Sequence, residues 1–493
     1  MDSDSRARLD RIIHPKSVAV VGASAAPGKF GWFYLKALLS VGFTGRLYPI
    51  NKSVEEILGF KAYPSLAALP EAPDLVVIVI PAQKVPQALE EAQRVGALGA
   101  VVMSAGFSED SKEGERLERE IVIVAKRGIR VIGPNCFGTY SPKAGVTILP
   151  GSGFSRRPGP VGFFAQSGGF TADLGQVAMS HGVGFSAMVS YGNGADVNEL
   201  DMLDYFAHDP DTKIIAAYIE GTSDGCRFLE LLGEVTSKKP VIIWKGGTSP
   251  TGARMVMSHT GSMGGEASVW DAVFRQTGAV RARGLSDMVD TLVAFTYLYP
   301  RAGRRIAMLG GGGALGVEAS DLVDGLGLTM PLFEQSVQDE IVKHLPEFGR
   351  SAKNPVDTGN PLIPAEPLIE IMRIIARQDA VDVIFVLQLL YHSQALVRRL
   401  SDQTGTALAA FAQYARLAEG AREIVGTTGK PVVGVFPQTS MSTSDEDMEL
   451  EGEVRRARDA FLSAGCAFFP TIDRAIGALA KVAGYQELRR RRG

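Results

Sequence analysis

Short runs of β-branched and apolar residues alternate with longer helical patterns along almost the whole chain, and this alternation limits the possible folds more than any other feature. In the first third, strands are predicted at 17–21, 46–50, 75–80, 100–103 and 130–132, with helices at 32–41, 86–95 and 113–127. These strands are apolar on both faces, which is typical of a parallel sheet covered by helices on both sides. The sequence therefore predicts an α/β protein built from parallel sheets.

Residues 141–160 interrupt this alternation, because four prolines mix there with glycine and serine and no periodicity remains. A second series begins with a strand at 161–165, and a third with a strand at 305–309. A chain of 493 residues has room for about three domains. We predict a first domain over 1–140, a linker over 141–160, a second domain over 161–300 and a third over 301–493.

The charge balance argues against a broad nucleic-acid or anionic-membrane surface, since 51 Lys and Arg stand against 54 Asp and Glu. The basic run 489–492 is expected to be a solvated tail. The longest apolar runs, such as 75–80, are strand-length and far short of the roughly 20 residues that span a bilayer. Three cysteines lie far apart with no CxxC pair, which excludes a disulfide framework and a zinc ribbon. With a polar N-terminus that is no signal peptide, the expectation is a soluble cytoplasmic protein.

A glycine-rich turn joins the first predicted strand to the first helix, from Gly22 to Gly31. Free amides at a helix start attract phosphate, and glycine lets the backbone approach it. The spacing is not GxGxxG, and the second strand ends in Asn51-Lys52 rather than in the acid that would hold a ribose. Glu55 and Glu56 are expected inside the next helix. The residues favour a phosphorylated nucleotide such as coenzyme A over NAD, and they disfavour a nicotinamide dehydrogenase.

Three more loops follow strands of the same predicted sheet, and the carboxyl ends of parallel strands are where such sheets bind ligands. The loops begin at Pro81, at Ser104 and at Gly133, the last running to Asn135 and Cys136. No histidine is near Cys136 to activate it, so packing beside the ligand is the preferred role for this thiol.

His259 lies among hydroxyl residues and glycines in a stretch with neither strand nor helix periodicity, so a mobile loop is predicted over 257–265. A neutral imidazole can attack phosphorus when an acceptor orients its ring, and Glu220, at the end of a predicted strand, is a candidate acceptor. From composition alone, an exposed loop histidine is the simpler interpretation. Two helix starts could stabilise a phosphoryl group: Ser167-Gly168-Gly169 and Gly311-Gly312-Gly313. The sequence has no P-loop and no cluster of metal ligands.

Seven short motifs, taken in order, resemble the nucleoside-diphosphate-forming acyl-CoA synthetases, relatives of succinyl-CoA synthetase, and in particular the α-subunit type of ADP-forming acetyl-CoA synthetase. The motifs begin at Gly22, Asn51, Gly133, Gln166, Tyr218, Ser258 and Asn354. The resemblance spans about residues 10–480. It implies a Rossmann-like CoA-binding domain followed by two flavodoxin-like ligase domains.

The resemblance also implies the reaction. A carboxylate, CoA and ATP are converted reversibly to acyl-CoA, ADP and phosphate, through an acyl phosphate and a phosphohistidine. It carries the phosphohistidine onto His259, its partner carboxylate onto Glu220, and the phosphate-stabilising helix starts onto the two glycine segments already named. The implied CoA pocket consists of Gly22, Ser24, Lys52, Pro81, Ser104, Asn135 and Cys136.

The ATP-grasp domain of this family has no counterpart in the sequence. The resemblance therefore implies a β subunit that brings ATP or ADP with Mg²⁺, in a heterotetramer. The acyl pocket is expected between the first two domains, and no residue marks it. Two other interpretations stay open: a CoA transferase or related thioester enzyme that uses no nucleotide, and a non-catalytic CoA-binding protein.

Overall fold

The computed structural model describes residues 1–147, 154–260, 266–359, 363–392, 413–437 and 445–492, apart from the side chains of 257–260 and 445–447. The chain forms two compact units, Met1–Leu285 and Ser286–Gly493. The predicted α/β fold with parallel sheets is confirmed. Every helix in the described part of the chain is too short or too polar to cross a bilayer.

The first sheet lies in the first unit and is parallel throughout. Its segment contains α1 (Ser3–Ile13), β1 (Ser17–Val21), α2 (Phe30–Val41), β2 (Arg46–Ile50), β3 (Glu56–Ile57), β4 (Phe60–Lys61), β5 (Leu75–Ile78), α3 (Val85–Arg94), β6 (Gly99–Val102), α4 (Lys112–Ala125) and β7 (Arg130–Ile132). The strand order is β2-β1-β5-β6-β7. Each predicted strand of this segment is present within two residues of its expected ends.

Two parts of the first segment differ from the prediction. Helix α1 was not predicted; it starts where the Asp2 side chain accepts a hydrogen bond from Ser5 N at 2.8 Å, and it buries three apolar side chains in the core. The expected helix around Glu56 is wrong, because Glu56 lies in the hairpin β3–β4. The turn Leu58-Gly59 has positive φ at both residues, which reverses the chain and lets Ile57 be buried.

The second sheet also belongs to the first unit. Its elements are β8 (Gly138–Tyr140), β9 (Val161–Ala165), α5 (Gly168–Ser180), β10 (Phe185–Ser190), α6 (Glu199–His208), β11 (Ile214–Ile219), α7 (Gly225–Thr236), β12 (Val241–Lys245), α8 (Pro250–Thr260), α9 (Ala267–Thr277) and β13 (Val280–Ala282). The strand order is β13-β12-β11-β9-β10-β8. All pairs are parallel except β8, which runs antiparallel to β10 at the edge. The linker residues 141–147 and 154–160 carry no helix or strand, and 148–153 lie outside the described residues.

An ion-pair cluster joins the first sheet to the first turn of α6 and to the residues just before that helix. The Arg130 guanidinium lies 2.9 Å from Asp196 and 2.8 Å from Asp201. Asp196 also accepts a hydrogen bond from Val131 N at 2.8 Å. The three charged side chains are 17–23 % exposed, so water screens them only in part.

The third sheet forms the centre of the second unit. Its unit contains α10 (Leu285–Tyr297, with Leu285 the last residue of the first unit), β14 (Ile306–Gly310), α11 (Gly313–Gly325), α12 (Gln335–Val342), β15 (Val356–Asp357), α13 (Ala365–Ala376), β16 (Val383–Leu387), α14 (Tyr414–Thr428), β17 (Val432–Val435), α15 (Asp445–Ser463), β18 (Ala467–Phe469) and α16 (Ile472–Arg492). The strand order is β15-β14-β16-β17-β18, all parallel. The basic run 489–492 is exposed as expected, but it is the last turn of α16 rather than a tail. The predicted limits of the three domains stay predictions.

Candidate active site

The glycine turn after β1 is shaped for close backbone approach. Gly22 has φ +96°, and a Cβ there would lie 2.7 Å from the carbonyl oxygen of Val79. Ser24 accepts a hydrogen bond from Ala26 N at 3.1 Å within the same turn. Helix α2 begins with no side-chain cap and no acidic residue in its first turn. Its amides are therefore suited to an anion.

The end of β2 is the next part of the same sheet edge. The side chain of Asn51 donates to Ala23 O at 2.8 Å and accepts from Ser53 N at 2.7 Å, so it fixes the loop rather than pointing to a ligand. Lys52 between them is exposed. This places an exposed cation next to Asn51, which contacts the glycine turn.

The loops after β5, β6 and β7 are tied to one another. Ser104 donates its hydroxyl to Ile80 O, the residue before the exposed Pro81, and Asn135 N donates to Ser104 O at 2.9 Å. Asn135 holds a left-handed backbone with φ +56°. Cys136 is 4 % exposed, and burial raises the pKa of its thiol to about 12. Cys136 is therefore protonated at neutral pH and is no nucleophile.

In the second sheet, the segment between β9 and α5 presents a helix start. Ser167 caps α5 by accepting a hydrogen bond from Phe170 N at 3.2 Å. No acidic residue lies in the first turn, and the Cα of Gly169 faces open space. The amides of Gly168 and Gly169 thus lie at the positive end of the helix dipole.

Gln166 links this helix start to Glu220. Its side-chain oxygen accepts hydrogen bonds from Glu220 N at 2.5 Å and Gly221 N at 3.1 Å. The Glu220 carboxylate is buried, and one oxygen accepts from the Tyr218 hydroxyl at 2.9 Å. Lys245, which ends the neighbouring strand, is also buried, and burial lowers the pKa of its ammonium to about 8.

His259 lies in α8, which ends at Thr260, so the prediction of a loop is wrong for the first part of 257–265. Helix α8 starts at Pro250, a residue that is common in the first turn of helices, and it continues without a break through His259. Residues 261–265 and the side chain of His259 lie outside the described residues. The pairing of His259 with Glu220 stays a prediction.

A cavity of about 160 Å³ is lined by loops of both sheets of the first unit. Its lining consists of Met103, Asn135, Cys136, Phe137, Gln166, Ser167, Gly168, Gly169, Gly192 and Asn193. Five of these residues were predicted for the site, and they come from both expected halves of it: Asn135 and Cys136 from the CoA side, and Ser167, Gly168 and Gly169 from the phosphate side.

Asn193 was not predicted as a site residue, although it lines the cavity and hydrogen-bonds to residues of the first sheet's loops. Its side-chain nitrogen lies 2.6 Å from Glu109 and 2.8 Å from Glu118, and its oxygen accepts from Asn135 at 3.3 Å. A Cβ on the preceding Gly192 would overlap the carbonyl of Pro134. The only sequence signal is that Gly192-Asn193 follows a strand end, where parallel sheets bind ligands.

The other predicted glycine segment lies in the second unit. Gly310–Gly313 join β14 to α11, and Gly312 has φ +105°. They line a cavity of about 290 Å³ together with Ser320, Asp357 and apolar residues. Asp357, three residues after Asn354 in the last of the seven motifs, brings a carboxylate to this cavity. Its neighbour Asn354 is structural: it is buried and hydrogen-bonds to Met308 N and Ile306 O.

Among the described residues, no group of three or more His, Cys, Asp or Glu side chains is arranged to hold a metal ion.

Two family models match the chain. Residues 16–142 match the CoA binding domain, and residues 158–295 match the succinyl-CoA ligase-like flavodoxin domain.

The chain is 40 % identical to the α subunit of ADP-forming acetate–CoA ligase I from Pyrococcus furiosus, over 71 % of this chain and 76 % of that subunit. It is 38 % identical to ADP-forming acetate–CoA ligase I from Archaeoglobus fulgidus, over 77 % of this chain but only 54 % of that protein. The fold is similar to that of acetyl-coenzyme A synthetase 1 from Ca. Korarchaeum cryptofilum, solved with phosphate and ADP. That similarity has a TM-score of 0.81 at 30 % identity, and it covers 98 % of this chain and 97 % of that one.

Proposed function

The chain belongs to the family of ADP-forming acyl-CoA ligases, and from this premise we propose that it is the CoA-binding, phosphohistidine-bearing subunit of an acid–thiol ligase. The overall reaction joins a carboxylate to CoA at the expense of ATP, giving acyl-CoA, ADP and phosphate.

One observation supports the proposal. The cavity of the first unit is lined by Asn135 and Cys136, from a loop of the first sheet, and by the start of α5, whose first turn has no acidic residue. CoA lies along the carboxyl edge of the first sheet, with its phosphates near Gly22, Ser24 and Lys52 and its thiol reaching past Pro81 and Ser104 to Asn135. Phosphate lies at Ser167, Gly168 and Gly169, because amides at a helix start stabilise developing negative charge.

In the direction of acid release, a phosphate oxygen attacks the thioester carbonyl. A C–O bond forms, the C–S bond breaks, and CoA leaves as the thiol. The imidazole of His259 then attacks the phosphorus of the acyl phosphate; an N–P bond forms, and the carboxylate leaves. Glu220 accepts the N–H on the other side of the ring and so orients the attacking nitrogen.

The phosphoryl group then passes from His259 to ADP. The amides of Gly311, Gly312 and Gly313, at the start of α11, stabilise the phosphoryl group in this step. The nucleotide and its Mg²⁺ are held by an ATP-grasp subunit, in a heterotetramer. In support, this chain spans only about half of the A. fulgidus relative, whereas it spans 76 % of the P. furiosus α subunit.

The test is to incubate the purified chain with acetyl-CoA and radiolabelled phosphate. We expect label on the protein that is stable to base and lost in acid, with release of one CoA per label. His259→Ala should lower the label to background while CoA still binds, whereas the matched variant His181→Ala, at the C-terminal end of α5, should keep it. Equal labelling of His259→Ala and the wild type, or acyl transfer without any labelled protein, would refute the phosphohistidine mechanism.

A further inference from the structure

Glu220, the proposed acceptor for the ring of His259, begins a short connection between two elements of the second sheet. We call residues 220–224 the Glu220 connection; it follows β11 directly and leads into α7. Thr222 is half-buried and Ser223 is exposed, so side-chain packing restrains this part of the chain little. Hydrogen bonds from other elements therefore decide where the connection lies.

Glu199 holds the far part of the Glu220 connection with three hydrogen bonds. Its carboxylate oxygen Oε1 accepts from the Thr222 hydroxyl at 2.8 Å, from Ser223 N at 2.8 Å and from the Ser223 hydroxyl at 3.1 Å. Because a carboxylate oxygen can accept several hydrogen bonds at once, one side chain restrains two residues. Gln166 holds the near part through the first two amides of the connection. The Glu220 connection is thus fixed at both ends by side chains from other elements.

Glu199 is itself fixed to the body of the first unit. It is the first residue of α6 and is 3 % exposed. The Asn198 side chain caps this helix by accepting from Leu200 N at 3.0 Å and from Asp201 N at 3.3 Å. Arg130 from the first sheet pairs with Asp201 in the same turn. Glu199 is therefore a rigid anchor, and the positive end of α6 stabilises its carboxylate.

This anchor matters because phosphoryl transfer needs an exact geometry. The attacking nitrogen must point at phosphorus from about 3–3.5 Å, and a displacement of about 1 Å can cost a rate factor of about 100. In the proposed function, Glu220 sets the orientation of the His259 ring. A shift of the Glu220 connection therefore turns the attacking nitrogen away from phosphorus, whereas the CoA-binding loops, which belong to the first sheet, keep their positions.

We propose that Glu199 is a positioning residue for the transfer of the phosphoryl group to His259. By holding Thr222 and Ser223 it fixes the Glu220 carboxylate, and it contacts neither the substrate nor the phosphorus. This inference rests on the proposed function, because the pairing of Glu220 with His259 belongs to that function.

The experiment measures the initial rate at which the full chain takes base-stable label from acetyl-CoA and radiolabelled phosphate, and the affinity for acetyl-CoA by calorimetry. Glu199→Leu has a similar size but no acceptor, and we expect it to be labelled about 10- to 100-fold more slowly with unchanged acetyl-CoA affinity. Glu199→Gln should restore most of the rate, because its side-chain oxygen can accept the same hydrogen bonds.

Asp204→Leu is the matched control. Asp204 is also a buried carboxylate of α6, but it pairs with Arg6 in α1. Its replacement should destabilise the same helix and keep the labelling rate. Thr222→Val serves if Glu199→Leu does not fold; it removes one of the three hydrogen bonds and should slow labelling by a smaller factor.

A second comparison separates positioning from a general loss of stability. If Glu199 acts through Glu220, adding Glu199→Leu to Glu220→Ala should cause no further loss of rate, because the positioned group is already gone. A further loss as large as that in the wild-type background would overturn the inference.

An unchanged labelling rate in the folded Glu199→Leu and Thr222→Val variants would also overturn it, and so would a loss of acetyl-CoA affinity as large as the loss of rate. Both results leave label on the wild type, so they remove the role of Glu199 alone. Failure of the proposed function looks different, because the wild type then binds acetyl-CoA and takes no label.

Discussion

Replacing Arg130 with methionine should destabilise the first unit, because it leaves two shielded carboxylates without their cation. Breaking a buried ion pair costs about 3–5 kcal/mol, and an exposed pair about 0–1 kcal/mol. Arg130, Asp196 and Asp201 are 17–23 % exposed, which places this pair toward the buried case. Asp196 keeps its hydrogen bond from Val131 N, so most of the penalty falls on Asp201. We expect a loss of about 3 kcal/mol.

The penalty should depend on pH. Burial raises the pKa of Asp201 even with Arg130 beside it, and removing the cation raises that pKa further above the unfolded value. The folded variant then binds more protons than the unfolded chain at intermediate pH, so its stability falls as pH rises. The difference from the wild type should be largest near pH 8 and smaller near pH 5.

Thermal unfolding followed by calorimetry measures this effect. At about 2 °C per kcal/mol for a unit of this size, the transition of the Arg130→Met variant should shift down by about 6 °C at pH 8. Adding Asp201→Asn should restore part of the loss, because the unpaired charge is gone. Arg116→Met is the control, since Arg116 is 50 % exposed and pairs only on the surface of α4. A shift of the Arg130 variant no larger than that of the Arg116 variant would refute this account.

Two further predictions concern buried titratable groups. Because burial lowers the pKa of Lys245 to about 8, the unfolded chain binds more protons between about pH 8 and 10, and unfolding free energy should rise with pH there. Urea titrations should find this part of the slope missing in Lys245→Met, and an unchanged slope would contradict it. Iodoacetamide at neutral pH should alkylate the exposed Cys226 and spare Cys136, whose buried thiol is protonated. Mass spectrometry of the peptides measures both rates, and comparable rates would show that Cys136 is accessible.

The strands could be predicted from the sequence because their signal is local. Residues 17–21 and 161–165 are short, β-branched or apolar runs that are bounded by turns, and the structure has strands at those positions. Helix α1 was missed because most of its residues are polar and only three face the core. His259 was predicted in a loop from its hydroxyl and glycine neighbours, yet the helical residues before it carry α8 through to Thr260.

The site residues that could be predicted lie at the carboxyl ends of parallel strands, where open α/β sheets bind ligands. Asn135 and Ser167 were predicted in this way, because each follows a strand of a parallel sheet. Asn193 also follows a strand end, but its role depends on how a loop of the first sheet packs against a loop of the second. Such packing leaves no periodic trace in the sequence. The hydrogen bonds of Asn193 to Glu109 and Glu118 span 75 or more residues.

Gly138–Tyr140 precede the linker in the chain, yet their backbone completes the sheet that follows it, beside residues 188–190. Deleting the residues before the linker would remove this edge strand from the sheet. The main-chain donors and acceptors of 188–190 would then be bare, and such bare edges promote self-association. The segment before the linker therefore supplies an edge strand to the sheet after it, and a chimera that exchanges this segment also exchanges that strand.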